Sequence, residues 1–96
     1  MPYHNGVPFQ GHSVTSWAAA VRFADAAPTA RARVRALLEY LAPEGLTDEQ
    51  ITDALHMNPS TERPRRIELT AAGIVVDSRT TRATRSGAQA VVWVVR

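Results

Sequence analysis

Residues 45–78, GLTDEQITDALHMNPSTERPRRIELTAAGIVVDS, carry the densest set of helix and turn signals in the chain. Thr47 is followed three residues later by Gln50, so each side chain can bond the other residue's backbone N–H in a capping box. Leu46 and Ile51 stand where a hydrophobic staple packs across the same helix start. The segment therefore predicts a helix that begins immediately after Thr47.

A second helix is predicted after the Asn-Pro turn at 58–59. Ser60 or Thr61 can cap it, and Gly73 supplies a left-handed stop after Ala72. With Thr61 as the cap, Pro64 falls in the first turn, where its missing N–H would have no partner. The residues expected to make its apolar contacts are Ile67, Leu69 and Ala71.

The strongest helical period lies upstream, in TARARVRALLEYLAPEG, residues 29–45. Its large apolar residues recur at i, i+3, i+4 and i+7, which is the spacing of one helix face. They are Val34, Leu37, Leu38 and Leu41. The predicted helix ends at Pro43 and Gly45.

Two shorter parts precede this helix. Residues 1–12 contain two Gly and two Pro without an apolar period, which predicts a flexible or extended arm. Residues 13–27 predict a short Ala-rich helix that Ser16 could cap and that ends before Pro28. Its expected apolar face consists of Trp17, Ala20, Val21 and Ala24. Residues 29–96 form the predicted domain that follows these two parts.

The C-terminal part predicts a β-hairpin. Two β-branched runs, IVVDS at 74–78 and AVVWVV at 90–95, are separated by the basic segment RTTRATRSGAQ at 79–89. The last run is apolar on both of its faces, whereas a hairpin that covers helices needs only one apolar face. We expect the helix that carries Trp17, or a second copy of the chain, to cover the other face.

Composition and charge narrow the class of protein. The 96 residues suffice for one domain, and the absence of cysteine excludes disulfides and thiol catalysis. No apolar run is long enough to span a membrane and no signal peptide opens the chain, so a cytoplasmic location is the expectation. Residues 1–57 hold four Arg and six acidic residues, whereas residues 58–96 hold seven Arg and three acidic residues. The basic C-terminal part indicates a polyanionic partner.

These elements resemble the winged helix-turn-helix superfamily, and in particular small winged-helix proteins encoded by phages and actinobacteria. The resemblance rests on residues 45–78, on the RTTRATRSG segment and on the closing VVWVV strand. With HSVTSWAAA, which is similar to a segment that precedes such domains, it covers about 85 residues. It implies an α+β fold: a three-helix core, a C-terminal hairpin wing and an extra N-terminal helix.

The function that the resemblance implies is binding of double-stranded DNA by a regulatory or architectural phage or prophage protein, repressor- or excisionase-like. The third core helix, residues 60–72, would enter the major groove, and the wing loop, residues 79–89, would contact the backbone or minor groove. Arginine suits both guanine edges and phosphates. The predicted contacts are Ser60, Thr61, Arg63, Arg65 and Arg66 in the helix, and Arg79, Thr81, Arg82, Thr84 and Arg85 in the wing. Neutralising six phosphates predicts a salt slope of about −5.

Other functions have weaker support in the sequence. His4, His12 and His56 lack the spacing of metal ligands, so no metal or cofactor is expected. Capping explains the carboxylates of 48–53 better than catalysis does, and we expect no enzymatic activity. The alternative is a winged helix that binds a host or replication protein, and the N-terminal helix is the expected interface of any homodimer.

Overall fold

The computed structural model describes residues 14–96, which form four α-helices followed by a two-stranded antiparallel hairpin. The elements are α1 (Val14–Asp25), α2 (Ala30–Tyr40), α3 (Asp48–Leu55), α4 (Pro59–Ala71), β1 (Val75–Ala83) and β2 (Gln89–Val95). This confirms an α+β arrangement with an added N-terminal helix. The arm predicted for 1–12 lies outside the described residues. None of the described helices has the length and apolar character needed to cross a membrane.

The core is centred on α2, which packs against α1 and α4. The four apolar residues of its predicted face are all fully buried: Val34, Leu37, Leu38 and Leu41. On α1, Ala20 and Ala24 are also fully buried, while Trp17 and Val21 pack against the core and are half-buried. The predicted faces of both helices are therefore confirmed. The proposed cap at Ser16 is wrong, because α1 already includes Val14.

The capping box predicted at the start of α3 is present. Thr47 N–H donates to Gln50 Oε1 at 3.0 Å, and Gln50 N–H donates to Thr47 Oγ1 at 3.2 Å. Leu46 and Ile51, the two residues of the predicted staple, are fully buried. These local bonds fix where α3 begins, which in turn fixes the positions of the acidic residues that follow.

The start of α4 differs from the prediction. Asn58, rather than Ser60 or Thr61, is the N-cap, and its Oδ1 accepts from Ser60 N–H at 2.9 Å. Pro59 takes the first helical position, which its fixed φ and missing N–H favour. Because the helix starts earlier, Pro64 lies beyond the first turn, inside the helix.

The face of α4 that is buried also differs from the predicted apolar face. Leu69 is fully buried as predicted, but Ile67 is 49% exposed. Ala71 is exposed as well. The buried partner of Leu69 on the inner face is Glu62, a position seven residues earlier and therefore on the same side of the helix.

The hairpin is longer than predicted and its turn is shorter. Strand β1 extends to Ala83, so Arg79, Thr81 and Arg82 lie in a strand, and the expected long loop at 79–89 is wrong. Pairing is interrupted by a bulge between Asp77 and Thr81, within which Arg79 has a φ of 67°. Asp77 Oδ1 accepts from Arg79 N–H at 2.7 Å and so supports the bulge. After the bulge, β1 pairs with β2 again from Thr81 onwards.

The segment between α2 and α3 pairs with β2 along the edge opposite β1. Leu46 and Trp93 exchange two backbone hydrogen bonds of 3.0 and 2.8 Å. Gly45, with a φ of +71°, lies so close to β2 that a Cβ there would strike the Trp93 carbonyl and the Val92 and Val94 methyl groups. In contrast, α1 packs against α2 and α3. The predicted cover by the Trp17 helix is therefore wrong.

Candidate functional site

A cleft of about 560 Å³ separates α3 and the first turns of α4 from the hairpin. The residues that line it combine an apolar wall with a charged one. The lining residues are Asp48, Glu49, Thr52, Asp53, Pro59, Glu62, Arg63, Arg66, Thr84, Arg85, Ala90, Val91 and Trp93. The cleft thus brings together arginines from α4 and from the hairpin turn, about twenty residues apart in the sequence. These are Arg63, Arg66 and Arg85.

Arg66 is the most enclosed of the three arginines, with a side chain only 12% exposed. Its guanidinium donates two hydrogen bonds to Asp48, of 3.0 Å from Nε and 2.8 Å from Nη2. The guanidinium carbon also lies 4.0 Å from the centroid of the Trp93 ring, which is cation–π geometry. Arg66 therefore ties α4 to both α3 and β2, with its Nε and Nη2 atoms both bonded to Asp48.

Arg85 and Arg63 reach the cleft from opposite sides and remain open to solvent. The side chain of Arg85 is 51% exposed, pairs with Asp53 and lies 3.7 Å from Glu49. The side chain of Arg63 is 65% exposed, and its Nε is 3.8 Å from Asp48 Oδ2. Ion pairs this exposed are worth about 0–1 kcal/mol, so a competing anion can replace the carboxylates at either arginine.

Glu62 is the buried acid of the site. Its side chain is 1% exposed, and within the described part of the chain neither carboxyl oxygen meets an N–H or O–H donor. Burial, followed by the hydrogen bond and the charge of Asp48, raises the pKa of Glu62 to about 9. Glu62 is consequently protonated near neutral pH and donates its proton towards the Asp48 carboxylate.

Asp48 is the carboxylate that Arg66, Glu62 and Arg63 share. Burial opposes its ionisation, but hydrogen bonds from Arg66 and Glu62, and the charges of Arg66 and Arg63, outweigh burial and lower the pKa of Asp48. With Glu62 neutral, the cleft holds three carboxylates and three guanidinium groups, so its charges balance. The cleft therefore differs from a purely basic groove, which would carry a net positive charge.

The other predicted contact residues lie elsewhere. Arg65 pairs with Glu68 at 2.7 Å, and neither residue lines the cleft. Arg82 donates to the carbonyl oxygens of Glu44 and Gly45, at 2.8 Å each, and to Gln50 Oε1 at 2.9 Å. Its guanidinium fastens β1 to the segment that precedes α3, and desolvation lowers the pKa of Arg82.

The predicted hydroxyl contacts are engaged in local bonds. Ser60 Oγ donates to Asn58 at 2.7 Å, Thr81 Oγ1 donates to Gln89 at 2.8 Å, and Thr84 bonds Ser86 at 2.9 Å. Thr61 is half-buried, and Arg79 is exposed in the bulge of β1. Of the ten predicted contact residues, the structure brings Arg63, Arg66, Thr84 and Arg85 to one cleft and leaves the other six outside it.

Sequence reasoning missed the acidic side of this site. The carboxylates of α3 were interpreted only as capping and solvated groups, although Asp48, Glu49 and Asp53 each meet an arginine of the cleft. The burial of Glu62 could have been predicted from its spacing, because it lies seven residues before Leu69 and therefore on the same face of α4.

Comparisons of the chain with protein-family models, with curated proteins and with solved structures gave no match. Residues 14–96 contain no group of three or more His, Cys, Asp or Glu side chains arranged to hold a metal ion.

Proposed function

We propose that the protein binds double-stranded DNA as a small winged helix-turn-helix domain. In this arrangement α4 enters the major groove and the hairpin turn contacts the neighbouring backbone. The regulatory or architectural role in a phage or prophage, and the cytoplasmic location, belong to the same proposal. The observation that carries it is the convergence of two exposed arginines, Arg63 from α4 and Arg85 from the hairpin turn, beside one cleft.

The acidic residues of α3 do not prevent such binding. Glu49 and Asp53 hold Arg85 by exposed ion pairs, which a phosphate can replace at little energetic expense. Arg66 is not proposed as a DNA contact. Its enclosed bonds to Asp48 and its contact with Trp93 give it a structural role in holding α4. The cations proposed for backbone or base contacts are therefore Arg63 and Arg85 beside the cleft, together with Arg79, which is exposed in the bulge of β1.

The number of exposed cations gives a quantitative expectation. Each neutralised phosphate contributes about −0.9 to the slope of log affinity against log salt, so three arginines give a slope of about −3. This is shallower than the slope of about −5 expected when every arginine of the two segments is counted. A fluorescence-anisotropy titration on random and genomic duplexes across a salt series measures this slope directly.

Charge reversal provides the test of location. Arg63→Glu and Arg85→Glu should each weaken duplex binding, whereas Arg31→Glu, an equal change of charge at an exposed position of α2, should not. Equal weakening by all three variants would show a nonspecific effect of net charge and would contradict the proposed interface.

A second candidate function is binding to another protein, including a second copy of this chain. Phe23 of α1 and Tyr40 of α2 are 53% and 45% exposed, and their ring centroids are 5.4 Å apart. Exposed aromatic pairs are more common at protein interfaces than on other surfaces. Loss of a complex or a dimer in Phe23→Ser, with duplex binding retained, would support this function independently of the cleft.

A further inference from the structure

The outer face of α4 presents a stripe with one arginine and no acidic residue, which core packing does not explain. Ser60, Arg63, Pro64 and Ile67 are spaced three or four residues apart and therefore share one face. Ile67, at 49% exposure, is the largest apolar side chain on this face. A helix face that serves only to meet solvent normally carries charged residues at such positions.

This stripe borders a shallow depression of about 390 Å³. The described residues that line it include one cation and no carboxylate: Pro59, Ser60, Arg63, Pro64 and Ile67. The acids of α4 point elsewhere, since Glu62 is buried and Glu68 is paired with Arg65. The surface around Ile67 therefore suits a partner that combines negative charge with a small apolar group.

We propose that Ile67 contacts the 5-methyl group of a thymine in the major groove, while Arg63 binds a nearby guanine or its phosphate. This inference rests on the proposed binding of duplex DNA and adds to it a base preference. Thymine is the base that displays an apolar group in the major groove, and arginine pairs with the O6 and N7 atoms of guanine.

The helix geometry fits such a pair of contacts. Ile67 follows Arg63 by four positions, which corresponds to a rise of about 6 Å along the helix axis. Successive base pairs are about 3.4 Å apart, so the two side chains would address positions roughly two base pairs apart. The expected preference is therefore a thymine at a fixed short distance from the position that Arg63 contacts.

The test begins with a duplex selected by the wild-type protein from a random pool. Each thymine of that duplex is then replaced in turn by deoxyuridine, which lacks only the 5-methyl group. Affinity should fall about fourfold at one position, the factor expected when one methyl group is no longer buried. Ile67→Ala should bind thymine and deoxyuridine equally at that position, whereas Ile67→Val should keep most of the preference.

The outcomes separate this inference from the proposed function. Duplex binding with equal affinity for thymine and deoxyuridine at every position, or without any sequence preference, would overturn the role of Ile67 and leave DNA binding intact. No duplex binding at any salt concentration would overturn both. Capture of a protein partner that Ile67→Ala abolishes, without an effect on duplex binding, would assign the stripe to protein recognition and overturn the inference. Thermal unfolding of both variants confirms that they remain folded.

Discussion

Replacing Glu62 by Gln should stabilise the protein at neutral pH. The buried carboxyl group of Glu62 has a pKa of about 9 in the folded state, against 4.5 for an unperturbed glutamate. Its folded-state pKa is raised, so its stabilising contribution is fully present below pH 4.5 and declines as the pH rises towards 9. Glutamine has nearly the same shape, stays neutral and can donate a hydrogen bond to Asp48 in place of the protonated acid.

The magnitude follows from proton linkage. Each pH unit between the unfolded and folded pKa values lowers stability by about 1.4 kcal/mol, because the unfolded state has released the proton and the folded state still holds it. At pH 7 the wild-type protein has therefore lost about 3 kcal/mol relative to pH 4.5 through this one group. Glu62→Gln should recover about 2–3 kcal/mol at pH 7 and close to nothing at pH 4.5.

Urea unfolding followed by circular dichroism between pH 5 and pH 9 measures this difference. The window avoids Asp48, whose lowered pKa contributes stability that is lost only as the pH falls through the acidic range. Glu39→Gln, at an exposed position of α2, is the matched control and should change stability by less than about 0.5 kcal/mol. If Glu62→Gln destabilises the protein at pH 7, or leaves the pH dependence unchanged, the assignment of a protonated Glu62 is refuted.

Three further predictions follow from the contacts around the cleft. Gly45→Ala should lower the free energy of unfolding by several kcal/mol in thermal melts, because its φ is +71° and a Cβ would strike β2. Gly87→Ala, whose φ is +91° but whose Cβ would meet open space, should lose only about 1 kcal/mol. Arg82→Ala should lose about 1–3 kcal/mol in urea unfolding, because it removes three hydrogen bonds that hold β1 to α3 and to the segment before it; a neutral result would contradict its structural role. The double variant Glu49→Gln/Asp53→Asn should raise duplex affinity severalfold in anisotropy titrations, because it frees Arg85 from its ion pairs; unchanged affinity would show that Arg85 does not contact the duplex.

Local signals of the sequence predicted most of the helical part of the fold. The Thr47–Gln50 capping box and the apolar spacing of α2 depend on neighbours three or four residues away, and both are present in the structure. The error at the start of α4 has the same local origin. Asn58 caps the helix and Pro59 is its first residue, although Ser60 and Thr61, one and two positions later, are also good capping residues.

Long-range contacts explain what the sequence did not predict. The direction of the Arg82 side chain depends on carbonyl groups more than thirty residues away, and the pairing at the edge of β2 depends on the close approach of Gly45 from another loop. The protonation of Glu62 likewise depends on its burial in the folded protein and then on Asp48 of the neighbouring helix. A count of arginines along the chain identified the basic elements correctly, but not which of those arginines remain open to a partner.

The salt dependence of duplex affinity tests the central claim most directly. With Arg63, Arg79 and Arg85 as the contacting cations, the slope should be about −3 for the wild-type protein and about one unit shallower after Arg63→Gln or Arg85→Gln. Arg31→Gln should leave the slope unchanged. Absence of duplex binding at low salt, or slopes that are the same in the wild-type protein and in the Arg63 and Arg85 variants, would contradict the account.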